Sequence, residues 1–378
     1  IYNFKLEKIM FKSDILFTGY YGQKNTGDDA FIEVSSWGAK KYWLKNEVKY
    51  LARKDKLPIS NTENYKGYPF SIPKTYRLQS SLLLSKTDFL ISAGGSTIHS
   101  KLPVNNIKAK AMQMKSNNKN LKIGAVGVSI GPFKTLEDEQ AVEKYLQSID
   151  FLAVRDQSSY DFASSLNLPY SPINSFDLAA LLPYIYQSNT AEKDKKKTIG
   201  ISVCPVESVN DTKNLKREEK RNSMLVDLLK TLDREDDIHF KFVVFNGHER
   251  IGDRELTYQT AAKASLKSYE VIDYQQRTEL MWNEIATCDF VITTRLHAAI
   301  FSCFSDVPFM LNEYHQKCPD FLETIGYCPE YRLYNSEYSI KEKADQILKI
   351  INTKMYQPPA HVEKMKDRAL LNFTGIEL

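Results

Sequence analysis

The stretch DFVITTRLHAAIFSCFSDVPFML, Asp289 to Leu311, decides the fold. Asp289 to Thr293 and Val307 to Leu311 are short apolar, β-branched runs of strand length. Between them a helix begins around Arg295 and His297. A strand, a helix and a second strand in succession are the unit of a parallel sheet with helical crossovers. The same alternation extends outward in both directions. In the first half the strand candidates are Asp14 to Thr18, Val48 to Ala52, Asp88 to Ser92, Lys122 to Val128 and Phe151 to Val154. In the second half they are Thr198 to Val203, His239 to Phe245, Tyr269 to Ile272, Asp289 to Thr293 and Val307 to Leu311.

A chain of 378 residues, 42% of them apolar, exceeds what one hydrophobic core organises and supplies enough material for two. The polar stretch Gln187 to Lys197 cannot bury apolar surface and reads as the linker. The expected division is an N-terminal α/β domain over 11–187, a C-terminal α/β domain over 198–355 and a helical segment over 356–378 packing back on the body. The fold class is α/β: two Rossmann-like domains facing across a cleft, which the carboxyl ends of both sets of strands would line.

A net charge of +4 with 26% charged residues lacks the basic excess of a nucleic-acid binder. No stretch approaches the roughly 20 apolar residues of a membrane span, and Ile1 to Met10 do not resemble a secretory signal. The expected location is cytoplasmic, with peripheral association at the inner face of a membrane compatible with it. Because the chain starts without Met, a trimmed leader or anchor stays open. Cys204, Cys288, Cys303, Cys318 and Cys328 form no C-x-x-C pair and share no zinc-like spacing with histidines, so they read as buried free thiols and no metal is expected.

Four constellations follow strands. GYYGQKNTGDDAF, Gly19 to Phe31, offers a tight glycine loop. Asp28 and Asp29 stand where a helix begins, as caps or as functional carboxylates, and the loop has neither a dinucleotide nor a P-loop fingerprint. ISAGGSTIHS, Ile91 to Ser100, places Gly94 and Gly95 at the sheet edge, with Ser96 and His99 suited to sugar hydroxyls. In VRDQSS, Val154 to Ser159, Arg155 ends a strand and suits a carboxylate or phosphate, or an interdomain salt bridge, while Asp156 caps the next helix. In TTRLHAAIFSCFSDVP, Thr293 to Pro308, Arg295 and His297 make a compact anion site with proton-transfer capacity. Tyr314, His315 and Lys317 follow soon after.

Taken together and in this order, GYYGQKNTGDDA, the GG loop, VRDQSS and RLHAAI with EYHQK resemble the polysaccharide pyruvyl transferase family, from about Gly19 to Lys317. The resemblance implies a two-domain, GT-B-like architecture and transfer of a pyruvyl unit from phosphoenolpyruvate, the donor substrate, to two hydroxyls of a sugar. The product would be a ketal on a cell-surface polysaccharide or its precursor, such as an exopolysaccharide or capsule. The acceptor would be a sugar or a lipid-linked oligosaccharide, and no further cofactor is implied. By resemblance Arg295 and His297 bind and activate the donor, Leu296 offers backbone contacts, and Arg155 is a second anion contact. Asn25, Asp28, Asp29 and the Gly94–Gly95 loop fall on the acceptor side. Ser96 stands where many members carry a third glycine.

Phosphoenolpyruvate brings about three negative charges at neutral pH. Arg155, Arg295, His297 and Lys317 are the cations available for it, and Tyr314 adds a phenol. His297 is the first candidate for the acid, Arg295 for the departing phosphate, and Asp28, Asp29 or His99 for the base. The competing expectation is a nucleotide-sugar glycosyltransferase of the same architecture, with Glu279 or Glu284 holding a ribose.

Overall fold

The computed structural model describes residues 10–117, 120–186, 196–209, 214–235, 237–334 and 337–378. The expected linker lies almost wholly in 187–195, outside the described residues. By its contacts the chain forms two compact units. Unit 1 holds the chain up to Gln23, then Asp28–Ile185 and Lys364–Leu378. Unit 2 holds Lys24–Gly27 and Tyr186–Glu363.

Unit 1 is built on a six-stranded sheet of β1 (Ser13–Thr18), β2 (Val48–Tyr50), β3 (Thr87–Ile98), β4 (Lys122–Ile130), β5 (Phe151–Val154) and β6 (Ile173–Asn174). The strands are parallel, in the order β2-β1-β3-β4-β5-β6. Helices cover the sheet, so its strands are continuous apolar runs rather than alternating ones. Leu16, Leu90, Ile123, Val128 and Leu152 are buried in one cluster with Leu83 and Leu146 of the crossover helices. The helix Val362–Thr374 completes this unit. Its Phe373 lies among Trp37, Tyr42 and Trp43, and the Trp43 indole donates to the Phe373 carbonyl at 2.9 Å. Residues 356–363, expected to travel with that helix, group with unit 2 instead.

Unit 2 carries β7 (Lys197–Ser202), β8 (Ile238–Val243), β9 (Tyr269–Ile272), β10 (Phe290–Thr293) and β11 (Phe309–Leu311), parallel and ordered β11-β10-β7-β8-β9. Ile199, Phe240, Phe242 and Ile292 bury against Leu228 and Leu229 of helix Leu215–Leu232 and Ile347 and Ile351 of helix Ile340–Thr353. The stripe that recurs through Ile340–Thr353 at helical spacing is therefore core packing.

Each sheet order contains one point where successive crossovers leave in opposite directions. It lies between β1 and β3 in unit 1 and between β7 and β10 in unit 2. Ligands of open parallel sheets bind outside the carboxyl ends of strands at such a point. The glycine loop after β1 and the Arg295–His297 segment after β10 stand at these two places.

The reading of the GG segment needs correction. Gly94 and Gly95 do not end a strand at a sheet edge. They lie inside β3, which pairs with β1 on one side and β4 on the other. Both have positive φ, and the register with β4 shifts between Gly95 and Ile98. A bulge accommodates the glycines without ending the ladder.

Candidate functional site

In unit 2, Arg295 is the residue before helix Leu296–Phe304, with His297 in its first turn. β10 ends at Thr293, and the Thr294 N–H donates to the Ser202 carbonyl at 2.7 Å, which fixes the turn against the end of β7. The Arg295 guanidinium is held by Asp253, whose side chain is fully buried. Nε lies 3.0 Å from Oδ1 and 2.8 Å from Oδ2, and Nη2 also donates to Oδ1. Asp253 accepts in addition from the Asn246 N–H at 2.9 Å. Burial works against charge on both partners. At Asp253 it keeps the carboxyl above its ordinary value, although Arg295 pulls the other way. At Arg295 the carboxylate outweighs burial and holds the guanidinium charged far above neutral pH. Asp253 takes the Nε–Nη2 edge, and Nη1 has no hydrogen-bond partner among the described residues. The arginine is thus fixed in place with one face still able to meet an anion.

Sequence reasoning missed Asp253. It precedes helix Arg254–Ala264 in IGDRE, where aspartate reads as an N-cap. Its side chain makes no capping bond and turns to Arg295 instead. A cap residue that does not cap is the signal, and only coordinates reveal it.

Around Arg295 stand other groups from the strand ends. Cys204, two residues beyond β7, is a buried thiol pushed up by desolvation, with Arg295 and Lys317 near enough to oppose the shift. Tyr314, also buried and raised first by desolvation, borders Cys204, with Lys317 Nζ 5.6 Å and the Arg221 guanidinium 5.7 Å from its ring centre. Arg221 is itself buried and pairs with Glu207 at 2.8 and 3.2 Å. His315 is exposed, and desolvation followed by Lys317 lowers its pKa. Arg295, His297, Tyr314 and Lys317 are therefore gathered on one unit, at its β7/β10 switch point.

The loop of Asn25, expected with the first domain, instead belongs to unit 2 as Lys24–Gly27. The Thr26 N–H donates to the Phe245 carbonyl at 2.9 Å, and the Gly247 N–H to the Lys24 carbonyl at 2.8 Å. Asn25 pairs with Asn246 as an isolated β-bridge. Asp28 and Asp29 fall in the first turn of the helix that starts here rather than at its N-cap position. Helix Thr26–Tyr42 begins before them, and the Asn25 Oδ1 accepts from the Gly27 N–H at 3.1 Å.

In unit 1, Asp28 and Asp29 are buried in that helix's first turn. Asp28 is close enough to Tyr20 and Tyr21 to add to the burial that raises both phenols. A Cβ on Gly94 would run into the Phe31 ring, so that glycine serves packing. A Cβ on Gly95 would make only ordinary contacts, with Thr97 Cγ2 at 3.6 Å and Asp28 Oδ1 at 3.9 Å. Ser96 and His99 are exposed. Arg155 pairs within unit 1 with Asp177 at 2.7 Å, while its Nε donates to Ser129 at 2.7 Å and its Nη2 to Ser96 at 3.3 Å. Arg155 thus reaches the hydroxyl that replaces the third glycine, and most of its donors are already used. Asp156 caps its helix as expected, accepting from the Ser159 N–H at 2.9 Å. Glu284 pairs with Lys241 at 2.7 Å.

The family model described as polysaccharide pyruvyl transferase matches residues 23–316. The chain belongs to the polysaccharide pyruvyl transferase family. It is accordingly a transferase of polysaccharide biosynthesis. In a search by sequence no curated protein matches. Among solved structures this pyruvyl transferase family member is similar to a UDP-N-acetylglucosamine 2-epimerase (TM-score 0.58, 12% identity, 96% of this chain and 92% of that one). It is also similar to MnaA of S. aureus bound to UDP (0.56, 12%, 95% and 90%) and to the UDP-GlcNAc 2-epimerase of Neisseria meningitidis bound to UDP-GlcNAc (0.54, 12%, 96% and 96%). At such identity the likeness establishes the shared two-sheet α/β fold alone. No helix among the described residues is long and apolar enough to cross a membrane.

Proposed function

We propose that the protein transfers a pyruvyl group from phosphoenolpyruvate to two hydroxyls of a sugar in a polysaccharide or its lipid-linked precursor, releasing phosphate and forming a cyclic ketal. The observation that carries this reading is the Arg295–His297 pair at the β7/β10 switch point, with Lys317 and Tyr314 beside it, in a chain of this family. A trianionic donor needs fixed cations, and Asp253 pre-orients the strongest of them.

The chemistry balances without an outside reagent. A proton from His297 adds to the terminal carbon of the enol ether, turning the methylene into a methyl and leaving positive charge on the neighbouring carbon. One sugar hydroxyl attacks that carbon. The carbon–oxygen bond to phosphate breaks, with Arg295 meeting the departing charge, and the second hydroxyl closes the ring. Of the two hydroxyl protons, one replaces the proton given by His297 and the other leaves with phosphate. Asp28, Asp29 and His99 are the candidate bases, and Asp28 Oδ1 lies 3.9 Å from where a Cβ on Gly95 would stand.

Reaction in heavy water tests this. The ketal methyl should carry one deuterium per transfer. A product without solvent deuterium in its methyl, or turnover that consumes no phosphoenolpyruvate, would remove the reading.

A further inference from the structure

We infer that Gly27 is a positioning residue for His297, and that Lys24–Gly27 forms a wall of the donor site rather than part of the acceptor loop. A Cβ built on Gly27 would fall within 3.0 Å of three ring atoms of His297, namely Nδ1, Cγ and Cε1. The Gly27 Cα therefore lies against the imidazole, closer than any residue with a Cβ could come. No positive φ demands glycine at this position. What demands it is the space the ring occupies.

Both sides of this contact are fixed by the same elements. On one side, the Asn25 side chain accepts from the Gly27 N–H, and the Lys24 and Thr26 backbones pair with Phe245 and Gly247 beyond β8. On the other, His297 rides on helix Leu296–Phe304, whose Phe301 packs edge-on against Phe245 at 5.3 Å. Asn246, the bridge partner of Asn25, also donates its N–H to Asp253, which holds Arg295. One short segment thus supports both members of the pair: Gly27 confines the imidazole, and Asn246 with Asp253 orients the guanidinium. Confinement matters because a proton donor must meet its target carbon within hydrogen-bond reach in one orientation.

The catalytic part of this inference rests on the proposed donor chemistry, but the steric part does not, so two experiments separate them. In thermal unfolding, Gly27→Ala should lower the midpoint by about 5 °C, as overpacking does in a domain of this size. In a His297→Ala background the same substitution should cost almost nothing, because the added methyl enters the space the ring has left. Equal costs in both backgrounds would overturn the positioning role. In the second experiment, the ring ¹⁵N signals of His297 are titrated in wild type and Gly27→Ala, and the kcat/KM pH profile is recorded. The variant should shift the His297 pKa and the acid limb of the profile together and lower kcat about tenfold or more, with KM for phosphoenolpyruvate little changed. An unmoved titration would also overturn the inference. If the ring shifts while wild-type enzyme ignores phosphoenolpyruvate, the steric claim stands and the donor assignment fails.

Discussion

At the residue scale the site depends on charges that are buried and committed. Asp253 and Arg295 form a pair in which only the arginine keeps some access to solvent. Removing the carboxylate while keeping its shape strands the cation. Asp253→Asn should therefore cost about 3 kcal/mol of unfolding free energy, read from urea titrations, and weaken phosphoenolpyruvate binding because the guanidinium loses its fixed edge. Unchanged stability would mean the pair is solvated. Lys108 gives a pH test away from the site. Its ammonium is buried on helix Ile107–Ser116, donating to the Thr97 carbonyl at 3.1 Å, and desolvation pushes its pKa from 10.5 down to about 8. The folded state then binds fewer protons than the unfolded chain between about pH 8 and 10.5, so this residue's destabilising contribution is full below 8 and fades as pH rises through that window. Lys108→Met should unfold at a higher temperature than wild type at pH 7, by an amount equivalent to about 3 kcal/mol. The gap should narrow towards pH 10. A gap constant with pH would show that Lys108 titrates normally. None of this was legible in the sequence. Arg295 and His297 stood out because their types and spacing are chemically unusual, whereas Asp253 reads as an ordinary helix cap and Lys108 as a surface lysine.

At the element scale, strands were the most legible feature, since buried parallel strands are unbroken apolar runs. Ten of the eleven were expected, and Phe151–Val154 and Tyr269–Ile272 match residue for residue. The missed one, Ile173–Asn174, is two residues long and leaves no pattern. β3 ran past its expected end because the glycines that suggested a loop form a bulge inside the ladder. Helix Val362–Thr374 was legible as a helix but not as a part of unit 1, because its partners lie more than 190 residues earlier in the chain: Asn372 donates to the Phe176 carbonyl at 2.9 Å and accepts from Ser175 at 2.9 Å. Phe373 is its anchor. Phe373→Ala should cost about 3–5 kcal/mol and quench the tryptophan signal change on unfolding less sharply, with Trp37 and Trp43 as the reporters. A cost below about 1 kcal/mol would mean that the aromatic cluster closes without it.

At the scale of the whole molecule, two α/β units and their strand sets follow from length and alternation, while the course of the chain between them does not. Lys24–Gly27 joins unit 2 through main-chain bonds to residues 245–247, and such long-range pairing has no local signature. That placement gathers Asn25 and Gly27 with Arg295, His297, Tyr314 and Lys317 on one unit, and leaves Asp28, Asp29, Gly94, Gly95, Ser96 and Arg155 on the other. On the proposed reading, donor recognition is a property of unit 2. A ligand that binds only the folded state raises its unfolding midpoint in proportion to the logarithm of its concentration over its Kd. The most direct measurement is thermal unfolding of the protein with phosphoenolpyruvate, set beside a panel of UDP-sugars. Phosphoenolpyruvate should raise the midpoint in wild type and fail to do so in Arg295→Ala, with the UDP-sugars inert. A shift with a UDP-sugar and none with phosphoenolpyruvate would contradict the donor assignment and make the protein a nucleotide-sugar enzyme.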